Sequence, residues 1–255
     1  VEIKTAEVLD VFWQKLAKAE RRVLFLDYDG TLSPFRIKRD ESFPYPGVVE
    51  VVKSIIKGGT RVVIITGRGI DEIKPLLNID PLPEIWGTHG IERMKADGSI
   101  ERLDYDSSID SLLNEAVRIV RQYTEKERVE TKYGCVALHW RGLCEQDAEK
   151  LKTLIKPQWE KIAQQNKLVL HGFDGGLELR LQGRDKGFAV RTVLNEEGDG
   201  AKGAYLGDDN TDEDAFEAIK GRGLPVLVRQ DYRETKAEAW LRPPEELLEF
   251  LKEWG

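Results

Sequence analysis

The chain has few of the side chains that carry soft-metal or redox chemistry. It has two cysteines, Cys135 and Cys144, and three histidines, His89, His139 and His171, in 255 residues. Neither cysteine belongs to a CxxC pair and the histidines fall on different segments, which excludes a zinc site of ordinary spacing. A Cys135–Cys144 disulfide would be out of place in a reducing compartment, and we expect a reduced, cytoplasmic protein. No apolar run approaches the roughly 18 residues of a membrane span. The opening Val1-Glu2-Ile3-Lys4 lacks the basic and apolar regions of a signal peptide, and no Asn is followed two residues on by Ser or Thr. The formal net charge of −7 leaves no bulk basic character, so neither nucleic acid nor an anionic membrane is an expected partner. No GxxxxGK[ST] phosphate loop occurs.

What the chain does have is alternation. Val8, Leu9, Phe12, Trp13 and Leu16 lie at helical spacing, and the apolar run Arg22–Leu26 follows. A helix through Val48, Val52 and Ile55 closes at Gly58-Gly59 and leads to a strand over Arg61–Ile65. A helix holding Ile73 and Leu76 then leads to a strand over Glu84–Gly87. The pattern returns late, with helices around Phe188–Leu194, Ala215–Ile219 and Leu247–Leu251 and strands over Ala204–Leu206 and Leu224–Val228. Continuously apolar strands between helices predict an α/β core with a mostly parallel sheet covered on both faces.

From 106 to 181 the texture changes. Two amphipathic helices (Ile109 to Val120, Leu151 to Ile162) stand among strands of period two, over Thr131–Arg141, Lys167–Gly172 and Gly176–Gln182. We read this stretch as an inserted α+β cap domain, with residues 1–105 and 182–255 forming the core. Hinges are expected near Leu103–Asp106 and Leu181–Arg184, with a cleft between the two parts.

The chemistry-bearing runs sit at strand ends. Asp27-Tyr28-Asp29-Gly30-Thr31-Leu32-Ser33-Pro34 follows the first apolar strand, and Gly207-Asp208-Asp209-Asn210-Thr211-Asp212-Glu213-Asp214 follows a late one. In an open α/β sheet, ligands gather outside the carboxyl ends of the strands. So many acids at one place call for compensation by a cation or by helix N–H groups. A hard, oxygen-seeking ion such as Mg²⁺ suits them, whereas the EF-hand spacing fails, since from Asp208 the sixth position is Glu213 and the twelfth Ile219. Helix capping accounts for Glu213 and Asp214. Thr66-Gly67-Arg68 closes the second strand with a hydroxyl and turn N–H groups suited to phosphate oxygens, and Lys186-Gly187 opens a later helix.

Taken in order, these four runs resemble the haloacid-dehalogenase superfamily of phosphohydrolases. The forms DYDGTLSP and GDDNTDEDAF, with the insert between TGR and KG, look most like its trehalose-6-phosphate phosphatases, over Leu24 to Phe216. The resemblance implies Asp27 as nucleophile, Asp29 as general acid and base, and Thr66 and Lys186 as holders of phosphate oxygens. It implies Mg²⁺ bound by Asp27, the Asp29 carbonyl and Asp208, with Asp209 and Asp212 as further candidates. Gly87-Thr88-His89-Gly90-Ile91-Glu92, Cys135–Arg141 and Leu177–Arg180 resemble sugar-recognition segments. By that likeness Arg68, His89, His139, Arg141, Glu178 and Arg180 would bind substrate.

Periodicity bears on the same strands. Val136, Leu138 and Trp140 alternate with His139 and Arg141, and Leu177, Leu179 and Leu181 with Glu178 and Arg180. The polar face reads two ways, as a ligand surface or as a solvent-facing strand. Trp140 and Leu181 depart from the Tyr and Pro usual in the family, which leaves room for another glycosyl phosphate, such as glucosylglycerol phosphate or sucrose 6-phosphate. A phosphomutase or a binding protein without turnover are the remaining readings. The oligomeric state is open.

Overall fold

The computed structural model describes residues 5–36, 38–164, 167–173 and 175–255; Val1–Lys4, which bear on the question of a leader, lie outside them. The chain divides into two compact units, Val1–Glu101 with Asp185–Gly255, and Arg102–Arg184.

The first unit begins with α1 (Thr5–Leu16), β1 (Arg21–Leu26), α2 (Val48–Lys57), β2 (Arg61–Ile65), α3 (Ile70–Leu77), β3 (Glu84–Gly87), β4 (Glu92–Met94) and β5 (Ile100–Arg102). The second unit holds α4 (Ser108–Val120), β6 (Val129–Lys132), β7 (Cys135–His139), α5 (Glu145–Gln164), β8 (Leu168–Phe173) and β9 (Gly176–Leu181). The chain then completes the first unit with α6 (Lys186–Glu197), β10 (Ala201–Gly207), α7 (Glu213–Ile219), β11 (Gly223–Val228), β12 (Ala239–Leu241) and α8 (Glu245–Trp254).

The eight-stranded sheet runs β12-β11-β10-β1-β2-β3-β4-β5, parallel from β12 through β3, with β4 antiparallel to β3. Its apolar strands are explained by their two faces. Leu24, Leu26, Val62 and Ile64 pack into one cluster with Phe12 and Leu16 of α1, Val52 of α2, Ile73 of α3 and Leu251 of α8. Val23, Phe25, Val63 and Ile65 pack into another with Val190 and Val193 of α6 and Phe216 of α7. Each such side chain contributes about 1.5–3 kcal/mol on burial. The expected mostly parallel, doubly covered sheet is the one observed, lengthened by the short edge strands β4, β5 and β12. Those strands have only three residues each, too few to show a period.

The connection from β1 leads to β2 on one side, whereas β10 and β11 extend the sheet on the other. β1 and β10 run in register, Leu26 opposite Leu206, and the Asp27 N–H donates to the Leu206 carbonyl at 2.9 Å. The carboxyl ends of these two strands therefore deliver Asp27 and Asp208 side by side.

The second unit is an antiparallel sheet, β6-β7-β9-β8, with α4 and α5 on its apolar face. Val136, Leu138, Leu177 and Leu179 are buried there, as are Leu113 and Val117 of α4 and Ile155 and Trp159 of α5. The single strand expected over Thr131–Arg141 is instead two, β6 and β7, joined at Tyr133-Gly134, where Gly134 takes φ +64. An apolar alternation continues through a tight hairpin, so the turn left no break in period.

Candidate active site

Asp27 is 4% exposed and Asp208 2% exposed. Their carboxylates, with that of Asp212, each offer an oxygen within 4.8 Å of the others. Lys186, at the first position of α6, reaches this group and donates to Asp27 Oδ1 and Asp212 Oδ1, both at 2.7 Å. Burial pushes the Asp27 carboxyl up to about 7 against the attraction of Lys186, with Asp212 and Asp29 adding repulsion. Burial likewise drives Asp208 well above the usual carboxylate range, with Asp27 and Asp212 adding to it. Burial works against the charge of Asp212 too, yet Lys186 and hydrogen bonds hold its carboxyl below that range.

A hard cation fits this group. Asp208 Oδ2 is buried with no hydrogen-bond partner among the described residues. A Cβ on Gly30, which takes φ +90, would collide with that oxygen, so only glycine leaves it clear. Buried, unneutralised carboxylates are costly, and a divalent ion with oxygen ligands offsets that cost. The buried Asp27, Asp208 and Asp212 cluster is consistent with a Mg²⁺ site.

Among the sequence candidates, Asp212 rather than Asp209 reaches this cluster. Asp209 caps the following turn, accepting from the Asn210 N–H at 2.6 Å. Asp29 is held apart. Arg68, 1% exposed, grips both its oxygens, Nε to Oδ2 at 2.7 Å and an Nη to Oδ1 at 2.6 Å. The same guanidinium donates to Glu72 at 2.7 Å, so Arg68 is engaged by two acids. Thr66, 1% exposed, accepts the Arg68 N–H on its hydroxyl at 3.1 Å. The turn it opens is stitched to the segment after β3 by Thr88 N–H to the Arg68 carbonyl and His89 N–H to the Thr66 carbonyl, at 2.8 and 3.0 Å. Thr88 and His89 both take positive φ, 47° and 53°. That puts the His89 ring against Gly67, in the first unit and beside the phosphate-type turn, and backbone strain of this kind gathers at functional loops.

Several supporting residues escaped the sequence reading. Thr31 Oγ1 bridges Asp27 Oδ2 and Asp208 Oδ1 at 3.2 and 3.4 Å. Tyr205 donates to Asp212 Oδ1 at 2.5 Å from the middle of β10. Tyr28 donates to the Ser42 carbonyl at 2.6 Å, which fastens the loop beyond the first motif. Thr31 lies inside the first acidic motif, but the partners of Tyr205 and Ser42 depend on folding. Glu213, read as a cap, instead accepts from Arg233, Thr235 and the Lys236 N–H.

The remaining candidates lie on the polar face of the second unit's sheet. Register sets Glu130, Ala137, Glu178 and His171 in one cross-strand row and Lys132, Cys135, Arg180 and Val169 in the next. Small, fully buried side chains, Ala137 and Cys135, stand at the centre of these rows among charged neighbours. His139 Nε2 meets Glu130 at 2.9 Å, Lys132 lies 3.4 Å from Glu178, and Arg180 lies 3.7 Å from Glu178 Oε1. Arg180 Nε is buried without a hydrogen-bond partner among the described residues. The Arg141 side chain lies over Gly175. Glu130 and Lys132 were missed as candidates, although their pairing with Ala137 and Cys135 would follow from placing the hairpin at Gly134.

A family model for trehalose-phosphatases matches residues 25–244. The chain belongs to the trehalose-phosphatase family. Trehalose-phosphate phosphatase B of Arabidopsis thaliana is 31% identical to it, over 93% of this chain and 68% of that one. The C-terminal domain of C. albicans trehalose-6-phosphate phosphatase superposes with a TM-score of 0.81 at 21% identity, covering 96% of this chain and 95% of that one. A haloacid dehalogenase-like hydrolase from B. subtilis does so at 0.61 and 14%, covering 90% and 98%, a likeness of fold. The fold and family expected from the sequence are those found. The family implies a sugar-phosphate substrate, and no helix among the described residues is long and apolar enough to cross a membrane.

Proposed function

We propose that the chain hydrolyses trehalose 6-phosphate to trehalose and inorganic phosphate. The observation that carries the reading is the buried Asp27–Lys186–Asp212 chain beside Asp208, with the Asp29 carboxylate, 28% exposed, held by Arg68 two residues after Asp27. Asp27 attacks phosphorus through the oxygen not engaged by Lys186, and the sugar oxygen leaves with a proton from Asp29, whose carboxyl must first come away from Arg68. Water assisted by Asp29 then opens the aspartyl-phosphate and frees phosphate. Asp27, Asp208 and the Asp29 carbonyl would hold Mg²⁺. The ion supplies charge neutralisation for a carboxylate attacking an anionic phosphate. Lys186 holds a phosphoryl oxygen and Thr66 orients it through its hydroxyl. On the sugar side, Glu130, Lys132, His139, Arg141, Glu178 and Arg180 supply fixed donors and acceptors for hydroxyls; the buried Nε of Arg180, without a hydrogen-bond partner among the described residues, supports a ligand there over a wet strand face.

The experiment is phosphate release from a panel of sugar phosphates with Mg²⁺, with Asp27→Asn as control. Trehalose 6-phosphate is expected to be strongly preferred and the variant to lose release by at least about 10³-fold, on the scale of losing an essential catalytic group. Equal release from many sugars would overturn the substrate assignment while keeping the chemistry. Release unchanged in Asp27→Asn would overturn the chemistry.

A further inference from the structure

The Asp208-Asp209 turn is held from both sides. Asp212 Oδ2 accepts the backbone N–H of Asp208 at 3.0 Å and of Asp209 at 2.9 Å. On the carbonyl side stands Arg233, from the segment after β11. Its Nε donates to the Asp208 carbonyl at 3.1 Å and one Nη to the Asp209 carbonyl at 2.8 Å. The other Nη donates to Glu213 Oε1 at 2.5 Å, at the start of α7, and to the Glu234 carbonyl at 2.9 Å. Glu213 closes the buckle by accepting from Thr235 Oγ1 at 2.7 Å and from the Lys236 N–H at 2.8 Å. The Arg233 side chain is 18% exposed, so most of its planar fork is committed to these partners. All this grip falls on the backbone. The Asp208 side chain keeps Oδ2 clear of hydrogen bonds among the described residues.

We propose that Arg233 is a positioning residue for the cation site: it fixes the backbone of Asp208 so that its carboxylate is presented ready-made to Mg²⁺. The inference rests on the metal-dependent reading above. A rigid fork suits the task, because it spans two successive carbonyls at once while a lysine ammonium would serve as a point charge. Preorganisation also predicts a sign opposite to that of electrostatics. Removing a positive charge near a cation site should tighten the cation by Coulomb's law. Removing the device that orders its ligand should weaken it.

The test is calorimetric titration of the protein with Mg²⁺ alone, for wild type, Arg233→Gln and Arg233→Lys, followed by kinetics against Mg²⁺ and substrate. Arg233→Gln is expected to weaken Mg²⁺ binding about tenfold, equivalent to about 1.4 kcal/mol. Its kcat should recover at high Mg²⁺ and its KM for substrate should stay as in wild type. Arg233→Lys keeps the charge but loses the fork, and is expected to weaken Mg²⁺ several-fold; it carries the test where the glutamine variant does not fold. Unchanged or tighter Mg²⁺ binding in both variants would overturn the inference and leave the phosphatase reading standing. A wild type that binds no Mg²⁺ would overturn both. A variant whose kcat stays low at saturating Mg²⁺ would count against a role confined to the cation.

Discussion

On Asp212 four donors converge. Lys186 and the Tyr205 hydroxyl share Oδ1, while two backbone amides share Oδ2. Through these contacts Asp212 holds Lys186 and the Asp208 turn in place. Asp212→Ala leaves a buried phenol and two amides without their acceptor and Lys186 with Asp27 alone. Breaking a buried charge pair from one side costs about 3–5 kcal/mol. The loss should appear in denaturant unfolding of metal-free protein, and a variant as stable as wild type would contradict this account. Gly30 is a second residue of this kind. At φ +90, Gly30→Ala costs about 1–2 kcal/mol in backbone strain, and its methyl would displace Asp208 Oδ2. Mg²⁺ binding by calorimetry should fall well beyond what the loss of stability alone explains. At this scale the sequence was eloquent about the acids themselves, because DxDGT and GDD put them at strand ends. It was silent about Tyr205 and Arg233, since a tyrosine inside a strand and an arginine in a loop carry no period or spacing that points to a partner.

Among the elements, the ends of the core strands away from the site are tied by charge. Glu84 of β3 is 5% exposed and accepts from Arg61 of β2 at 2.6 Å and from Arg93 of β4 at 2.8 Å. Both arginines continue to Glu196 of α6, each at 2.7 Å. Hydrogen bonds from Arg93, foremost, and Arg61 pull the Glu196 carboxyl down from the ordinary 4.5 to about 2. A depressed folded-state pKa means stability that is present above the unfolded value and lost as pH falls through the folded one. Glu196→Gln should therefore lower the thermal midpoint at pH 6–7, while the two proteins converge as pH falls from about 4.5 toward about 2. A constant difference across that range would rule out the ionic origin. The side chain of Glu196 is 39% exposed, so solvent screening makes the effect modest, and added salt should shrink it. Helices and long strands were legible from their apolar periods; this network joins residues up to 135 apart in sequence and was not.

For the molecule as a whole, the second unit is one continuous stretch, Arg102–Arg184, with its own core between the sheet and the two helices α4 and α5. Trp159, fully buried, donates to the Ala116 carbonyl at 3.2 Å and ties those helices together. Residues 102–184 expressed alone should unfold cooperatively, with the fluorescence of Trp140 and Trp159 and far-ultraviolet circular dichroism changing together. A gradual change without a common midpoint would mean that this unit depends on the rest of the chain.

By itself the sequence determined the class of fold, the place of the acids and the family. Those follow from local rules: apolar runs buried on both faces must alternate with helices, and a carboxylate after such a run must emerge at the sheet's carboxyl edge. Tertiary structure alone decided which acid completes the cluster, that Arg68 is engaged by Asp29 and Glu72, and that Arg233 and Tyr205 brace the site. It also decided that Glu130 and Lys132 share a face with Glu178 and Arg180. A hydrogen bond is a matter of about 3 Å in space, and strand order and register, which no local pattern encodes, set which distant residues come that close.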